Sequence, residues 1–192
     1  MKKVRVSRAA TVLAVLAAAA LNSGALEVTS GTPAATANGK AADIVFSDSI
    51  IVKNIAFEKN AVVMPVTEYK DRIYTDVRML SKTLYGKLEA CFSKNKCAYA
   101  GKSAAPKLSV LEVKQLKSKA RVANVILSFD GDLAVTFGVI KKYSGEIWAA
   151  YPANFEITDT AFKDLVEKKV KEGFEGASRG DKKAVGAAVL KK

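Results

Sequence analysis

From Ser49 to Ala153 apolar residues alternate with polar ones or gather in short β-branched blocks, the pattern of strands laid against a core. "SIIVKNIAF" (Ser49 to Phe57) and "AVVMPV" (Ala61 to Val66), separated by the polar turn "EKN", predict a hairpin. Further on, "VLEVKQLK" (Val110 to Lys117), "ARVANVILSF" (Ala120 to Phe129), "LAVTFGVIKK" (Leu133 to Lys142) and "EIWAAYPA" (Glu146 to Ala153) predict an antiparallel meander. Its turns fall at Ser118, at Asp130 to Asp132 and at Tyr143 to Gly145. Twice the period changes to that of a helix. "DVRMLSKTLYGKLEACF" sets Val77, Leu80, Leu84, Leu88 and Cys91 on one stripe, with Asp76 as the expected N-cap. "DTAFKDLVEKKVKEGF" does the same with Phe162, Leu165, Val166, Val170 and Phe174, capped by Thr158 or Asp159.

The two series repeat one order. Phe46 falls on Phe129, Ile50 on Leu133, Val52 on Val135 and Lys59 on Lys142 at one constant offset. After a longer turn in the second series Pro65 falls on Pro152, and a helix follows in both. Matched strands, proline, loop and helix point to an internal duplication. The first copy has no counterpart of "VLEVKQLK" and is expected to be truncated. Boundaries follow from composition: a first unit over 43–98, a second over 107–175 and a basic tail over 176–192. Residues 26–42, rich in Ser, Thr, Ala, Gly and Pro, read as a flexible linker.

Ahead of the linker, residues 1–25 have the form of a secretory signal: a basic "MKKVRVSR", an apolar "AATVLAVLAAAAL" and small residues at "SGA", Ser23 to Ala25. The apolar run is too short for a stable membrane anchor. Export to the periplasm or beyond is expected, and a cytoplasmic location if the segment is not a functional signal.

Composition narrows the chemistry. Among 192 residues there is no histidine and there are two cysteines, so a zinc site of the usual kind, a Ser-His-Asp triad and a Cys-His pair are excluded. No metal or cofactor is expected. With 31 Lys and Arg against 19 Asp and Glu, the formal charge of +12 suits an acidic partner such as nucleic acid or an anionic membrane surface, and equally suits solubility alone. Cys91 and Cys97 flank "FSKNK" and form either a small-loop disulfide or two free thiols. Arg179-Gly180-Asp181 spells an integrin-type tripeptide of a length that recurs by chance. Trp148 and Tyr151 serve a core or a base-stacking platform. Glu68, Asp71 and Asp76 share a loop without the partners that acid catalysis requires.

"DIVFSDSIIVKNIAFEKNAVVMPVTEYKDRIYTDV" resembles the core of the SpoVG family, the stage V sporulation and septation proteins. Met64 and Pro65 match the family's Met-Pro corner, and Asp71, Tyr74, Asp76 and Val77 stand where the family has Asp, Phe, Asp and Ile. The stretch from Leu108 to Ala153 is similar to the family's four-strand meander. The resemblance implies an α+β protein of two SpoVG-like units, each an antiparallel hairpin or meander followed by a helix, packed as an intramolecular pseudo-dimer, in a monomer or a dimer. It also implies a small, non-catalytic, nucleic-acid-binding regulator that makes contact through the segment after the corner and the neighbouring helix. In that segment the family's basic positions are Thr67, Glu68 and Thr75 here, with Asn154 and Phe155 in the second copy. Lys70, Arg72, Arg78, Lys82, Lys141 and Lys142 are therefore the expected contacts, touching phosphates without reading bases. The alternative from another class is an exported envelope protein that binds or builds, having kept the fold and lost nucleic acid.

Overall fold

The computed structural model describes residues 25–98 and 103–180. Residues 1–24 and 181–192, which hold almost all of the expected signal, most of the expected tail and the end of the Arg-Gly-Asp tripeptide, lie outside the described residues.

Among the described residues fourteen strands and two helices make an α+β architecture with antiparallel sheets. The first sheet contains β1 (Val28–Gly31), β2 (Ala34–Thr36), β3 (Gly39–Phe46), β4 (Ile50–Glu58), β5 (Ala61–Val63), β9 (Cys97–Ala98) and β14 (Phe155–Ile157). In the second are β8 (Val77–Met79), β10 (Leu108–Gln115), β11 (Arg121–Phe129), β12 (Leu133–Lys141) and β13 (Ile147–Ala150). A separate hairpin joins β6 (Thr67–Tyr69) to β7 (Arg72–Tyr74). Helix α1 (Lys82–Ser93) packs on the first sheet by β5 and β9, and α2 (Thr160–Ser178) crosses β10 to β13 of the second.

Turn chemistry sets the strand order. Ser47 and Asp48 between β3 and β4, and Asp130 and Gly131 between β11 and β12, all have positive φ, the two-residue turn that matches strand twist. Each is closed by an equivalent bond: the Ser49 N–H donates to the Phe46 carbonyl at 3.1 Å and the Asp132 N–H to the Phe129 carbonyl at 2.9 Å. The "EKN" turn takes the same form at Lys59 and Asn60.

The sheets trade strands. β14, late in the chain, pairs with β4 through Phe155↔Val52, Glu156↔Ile51 and Ile157↔Ile50. β8, from the first half, pairs with β12 through Val77↔Val135, Arg78↔Ala134 and Met79↔Leu133. The flanking bonds match as well. The Thr136 N–H donates to the Asp76 carbonyl at 2.8 Å and the Lys53 N–H to the Asn154 carbonyl at 3.0 Å; Leu80 N–H donates to Asp132 and Thr158 N–H to Ser49. Each traded strand then runs into a capped helix: Ser81 Oγ accepts from the Leu84 N–H at 3.1 Å, and Asp159 Oδ1 from the Phe162 N–H at 2.6 Å.

One core results. Phe155 sits on the first sheet yet meets Phe129 at 5.5 Å and Phe137 at 5.7 Å, both on the second. Ile44, Ile55, Leu84, Leu88 and Phe92 of the first half belong to the same buried cluster as Leu127, Val135, Val166 and Val170 of the second. Tyr151 lies against Phe137 at 5.2 Å, so of the two aromatics weighed for the core this one enters it. Burial, and then the nearby Glu167 carboxylate, raise the pKa of its hydroxyl.

Four expectations need correction. Residues 26–42 are not a free linker: they contain β1, β2 and the start of β3, with Leu26 fully buried, and β1 pairs Val28 with Phe46 much as β10 pairs Leu108 with Phe129. The first unit thus has a strand where truncation was expected, because the exposed edge of β3 recruits a segment too short and too Ala-rich to declare itself. Val77 to Met79 form a strand and not a helical turn. Val77 is buried against β12, and the N-cap of the helix is Ser81, not Asp76. A three-residue spacing of Val77 and Leu80 fits a helical stripe, but pairing with β12 prevails. Finally, Gly176 to Ser178 continue α2 and are not part of a frayed tail.

Candidate functional site

Helix α2 covers one face of the second sheet. Ala123, Val125, Leu127 and Phe129 of β11 and Leu133, Val135, Phe137 and Val139 of β12 point toward it and are fully buried. Gly173 of α2 comes so close that an added Cβ would sit 3.2 Å from Val110 and 3.4 Å from Val125. By strand alternation the intervening residues form the opposite, outer face.

That face mixes small, polar and apolar side chains, with Arg78, Lys114, Arg121, Glu112 and Trp148 around its middle. Ala134 and Gly138, both buried, and the half-buried Thr136 line its middle on β12, beside the half-buried Ile126 and Asn124 on β11. Arg121 lies across Gly138. Its Nε donates to Asn124 Oδ1 at 2.8 Å, and a Cβ on residue 138 would stand 2.7 Å from that same Nε. Glycine here is what lets the Arg121 side chain pass this close to the sheet. Arg78 enters from β8 opposite Ala134, and Lys114 from β10 opposite Asn124. Among the described residues Arg78, Lys114 and Arg121 take part in no ion pair. Trp148 stands opposite Ile140 and is 43% exposed, whereas its neighbour Ala149 is buried. Toward the β8 end, Ile73, Tyr74, Asp76, Arg78, Glu112 and Lys114 help to line a shallow groove of about 320 Å³.

The structure divides the expected contact residues. Lys70 sits at the tip of the β6–β7 hairpin with positive φ, its Nζ 5.3 Å from the Tyr69 ring, and Arg72 begins β7. The hairpin's Ile73 and Tyr74 bring this element to the groove beside Arg78. Lys82 opens α1 and is exposed. Lys141 ends β12 about 23 Å along the strand from Ala134, the residue opposite Arg78, and Lys142 is held by Glu146 at 2.8 Å. The six therefore do not form one patch. Arg121, Asn124, Lys114 and Gly138 were not singled out by their sequence positions. The available signal was a set of polar or small residues at every second place in otherwise apolar strands, which says "outer face" without saying which outer face is open.

The first half carries a covalent feature. Cys91 and Cys97 are bonded, with Cα atoms 4.6 Å apart, and Cys97 pairs in turn with Gly31 of β1. The end of α1 is thereby tied to the edge of the first sheet. Among the described residues no group of His, Cys, Asp or Glu is arranged to hold a metal, and no helix is long and apolar enough to cross a membrane. Compared with known protein families, curated proteins and solved structures, the chain matches none.

Proposed function

We propose that this protein is a non-catalytic binding module, built as a SpoVG-like tandem duplication, that holds single-stranded nucleic acid on the outer face of its second sheet. The duplication is supported by the reciprocal pairing of β8 with β12 and β14 with β4, the arrangement that two copies related by a two-fold would make across an interface. A single chain containing both copies needs no partner to bury either one's apolar surface.

The binding surface rests on one observation: the Arg121 side chain passes over Gly138 on an outer sheet face that carries Trp148 at one end, with Lys114 beside Asn124 and Arg78 further along, neither in an ion pair among the described residues. Planar guanidinium and indole groups stack on bases, while lysine and arginine meet phosphates. These side chains hold an anion and a ring; they do not set up proton transfer. The contacts are sequence-tolerant and salt-sensitive.

An exported envelope protein that binds no nucleic acid is the second proposal, favoured by the Cys91–Cys97 bond and the leader-like residues 1–25. Fluorescence anisotropy separates the two. A labelled single strand and two unrelated duplexes are titrated at low and physiological salt, against the protein and against R78A/K114A/R121A and K82A/K141A/K142A. Nucleic-acid binding predicts preference for the single strand, a steep loss with salt, and a larger defect in the first triple variant. No binding at low salt leaves the envelope alternative.

A further inference from the structure

Burial changes abruptly across one peptide bond near the start of the described residues. Ala25 is exposed, while Leu26 beside it is fully buried. The Leu26 N–H donates to Asp132 Oδ2 at 2.8 Å, and its carbonyl accepts from Lys87 Nζ at 3.0 Å. Asp132 is only 8% exposed and forms no ion pair among the described residues, so a carboxylate is buried there with a neutral N–H as partner. Such burial is costly, and an ammonium at the same place would relieve it. In sequence, Ser23 and Ala25 put small residues at the third and first positions before this bond, the pattern that leader-cleaving peptidases accept.

We propose that the chain is cut between Ala25 and Leu26 and that the new α-ammonium of Leu26 pairs with Asp132, clamping the turn between β11 and β12. The step is hydrolysis by a leader-cleaving endopeptidase. The Ala25–Leu26 C–N bond breaks, one water gives its oxygen to the new Ala25 carboxylate, and its two protons end on the Leu26 nitrogen, which leaves as the ammonium. The ammonium keeps the existing donor geometry and adds full charge. Other charges around it are Asp130 in the same turn, Lys87 on α1 and Glu27 next in the chain, the last two bound to each other at 2.9 Å. Because the Asp132 carbonyl also accepts from Leu80 N–H at 2.7 Å, the clamp bears on the residue that follows β8, whose Arg78 faces the groove.

The test uses the full chain expressed in an exporting bacterium. N-terminal sequencing of the recovered protein reads the start, and a pH-controlled acylating reagent reads the α-amine. Leu26 is the expected first residue, and its amine is expected to react about tenfold or more slowly at pH 7 than the amine of D132N, since an ion pair holds it protonated. A chain with one glycine inserted between Ala25 and Leu26 supplies a second comparison if D132N does not fold, and its displaced amine reacts at the ordinary rate. A different first residue, or an ordinary rate in the chain that begins at Leu26, overturns the proposal.

Discussion

Arg78 and Glu156 occupy the same place on the two sheets. Each is the middle residue of a traded strand, one opposite Ala134 and the other opposite Ile51. On the first sheet Glu156 meets Lys53 at 2.7 Å, so the charges cancel. On the second the residue matching Lys53 is Thr136, and Arg78 forms no ion pair among the described residues. The edge strand differs too: β5 carries Ala61 to Val63, whereas β13 carries Trp148. At this place the first outer face holds an ion pair, and the second holds an arginine in no ion pair among the described residues. Net charge for the whole chain does not separate them; the local pairing does.

The largest effect should come from breaking what the two sheets share. Phe155 is 4% exposed and bridges both, so F155A is expected to lose about 3–5 kcal/mol of stability. In urea, Trp148 fluorescence and far-ultraviolet dichroism should then move together. Separate transitions would show that the sheets do not stabilise each other.

Reducing the Cys91–Cys97 bond comes next. It closes a short loop and is expected to cost about 2 kcal/mol, on the first sheet alone. The urea midpoint should fall while affinity for a single strand, measured below the transition, stays the same. A matching loss of affinity would contradict the division of labour between the two faces.

Binding variants sharpen the comparison directly. R121A and W148A should each weaken single-strand binding roughly tenfold, the order of one lost stacking contact. R78E, which places the first face's acid on the second, should weaken it further. E156R on the first sheet should leave affinity within about twofold, measured by anisotropy in the same buffer. G138A is the selective probe: its methyl displaces the Arg121 side chain and leaves the backbone in place. It should reduce affinity severalfold at a stability change below about 1 kcal/mol.

The smallest effect belongs to the Lys53–Glu156 pair, both of whose side chains are well exposed. Hydrogen bonding to Lys53, then its charge, lowers the pKa of Glu156, and the reverse interactions raise that of Lys53. Any stability from Glu156 is therefore present above the ordinary carboxylate pKa and is lost as pH falls through the depressed value. The Lys53 contribution is present below the ordinary lysine pKa and is lost as pH rises through the raised value. Thermal melts of E156Q and the parent protein should differ little at neutral pH and converge in acid. A large gap at neutral pH would mean that this face is held together by its charges.

How much of this could be read from sequence depended on where each element's reasons lie. β4, β11 and β12 contain their own alternation and end in turns whose residues accept positive φ, so their pattern was visible. The cap of α2 was narrowed to Thr158 or Asp159 because the pair directly precedes an apolar stripe, and the structure selects Asp159. β8 and β14 were not visible, since three residues carry no period and what makes them strands is the open edge of a strand far away in the chain. β1 was hidden for the same reason, in a segment whose Ala, Thr and Gly suggest a tether. For the candidate site, the hairpin cations and Arg78 could be named from the corner they follow. Arg121 could not, because its posture depends on the absence of a side chain at Gly138 on the next strand.

Trp148 is the only tryptophan in the chain, so its emission reports on the second outer face and nowhere else. Titrating the protein with an unlabelled single-stranded oligonucleotide at low salt, and again at physiological salt, tests the central claim most directly. Stacking on Trp148 predicts saturable quenching that weakens steeply with salt and is largely lost in R121A and G138A. Emission that stays unchanged while the oligonucleotide is bound, or quenching that R121A and G138A leave intact, would place the ligand elsewhere and contradict the account.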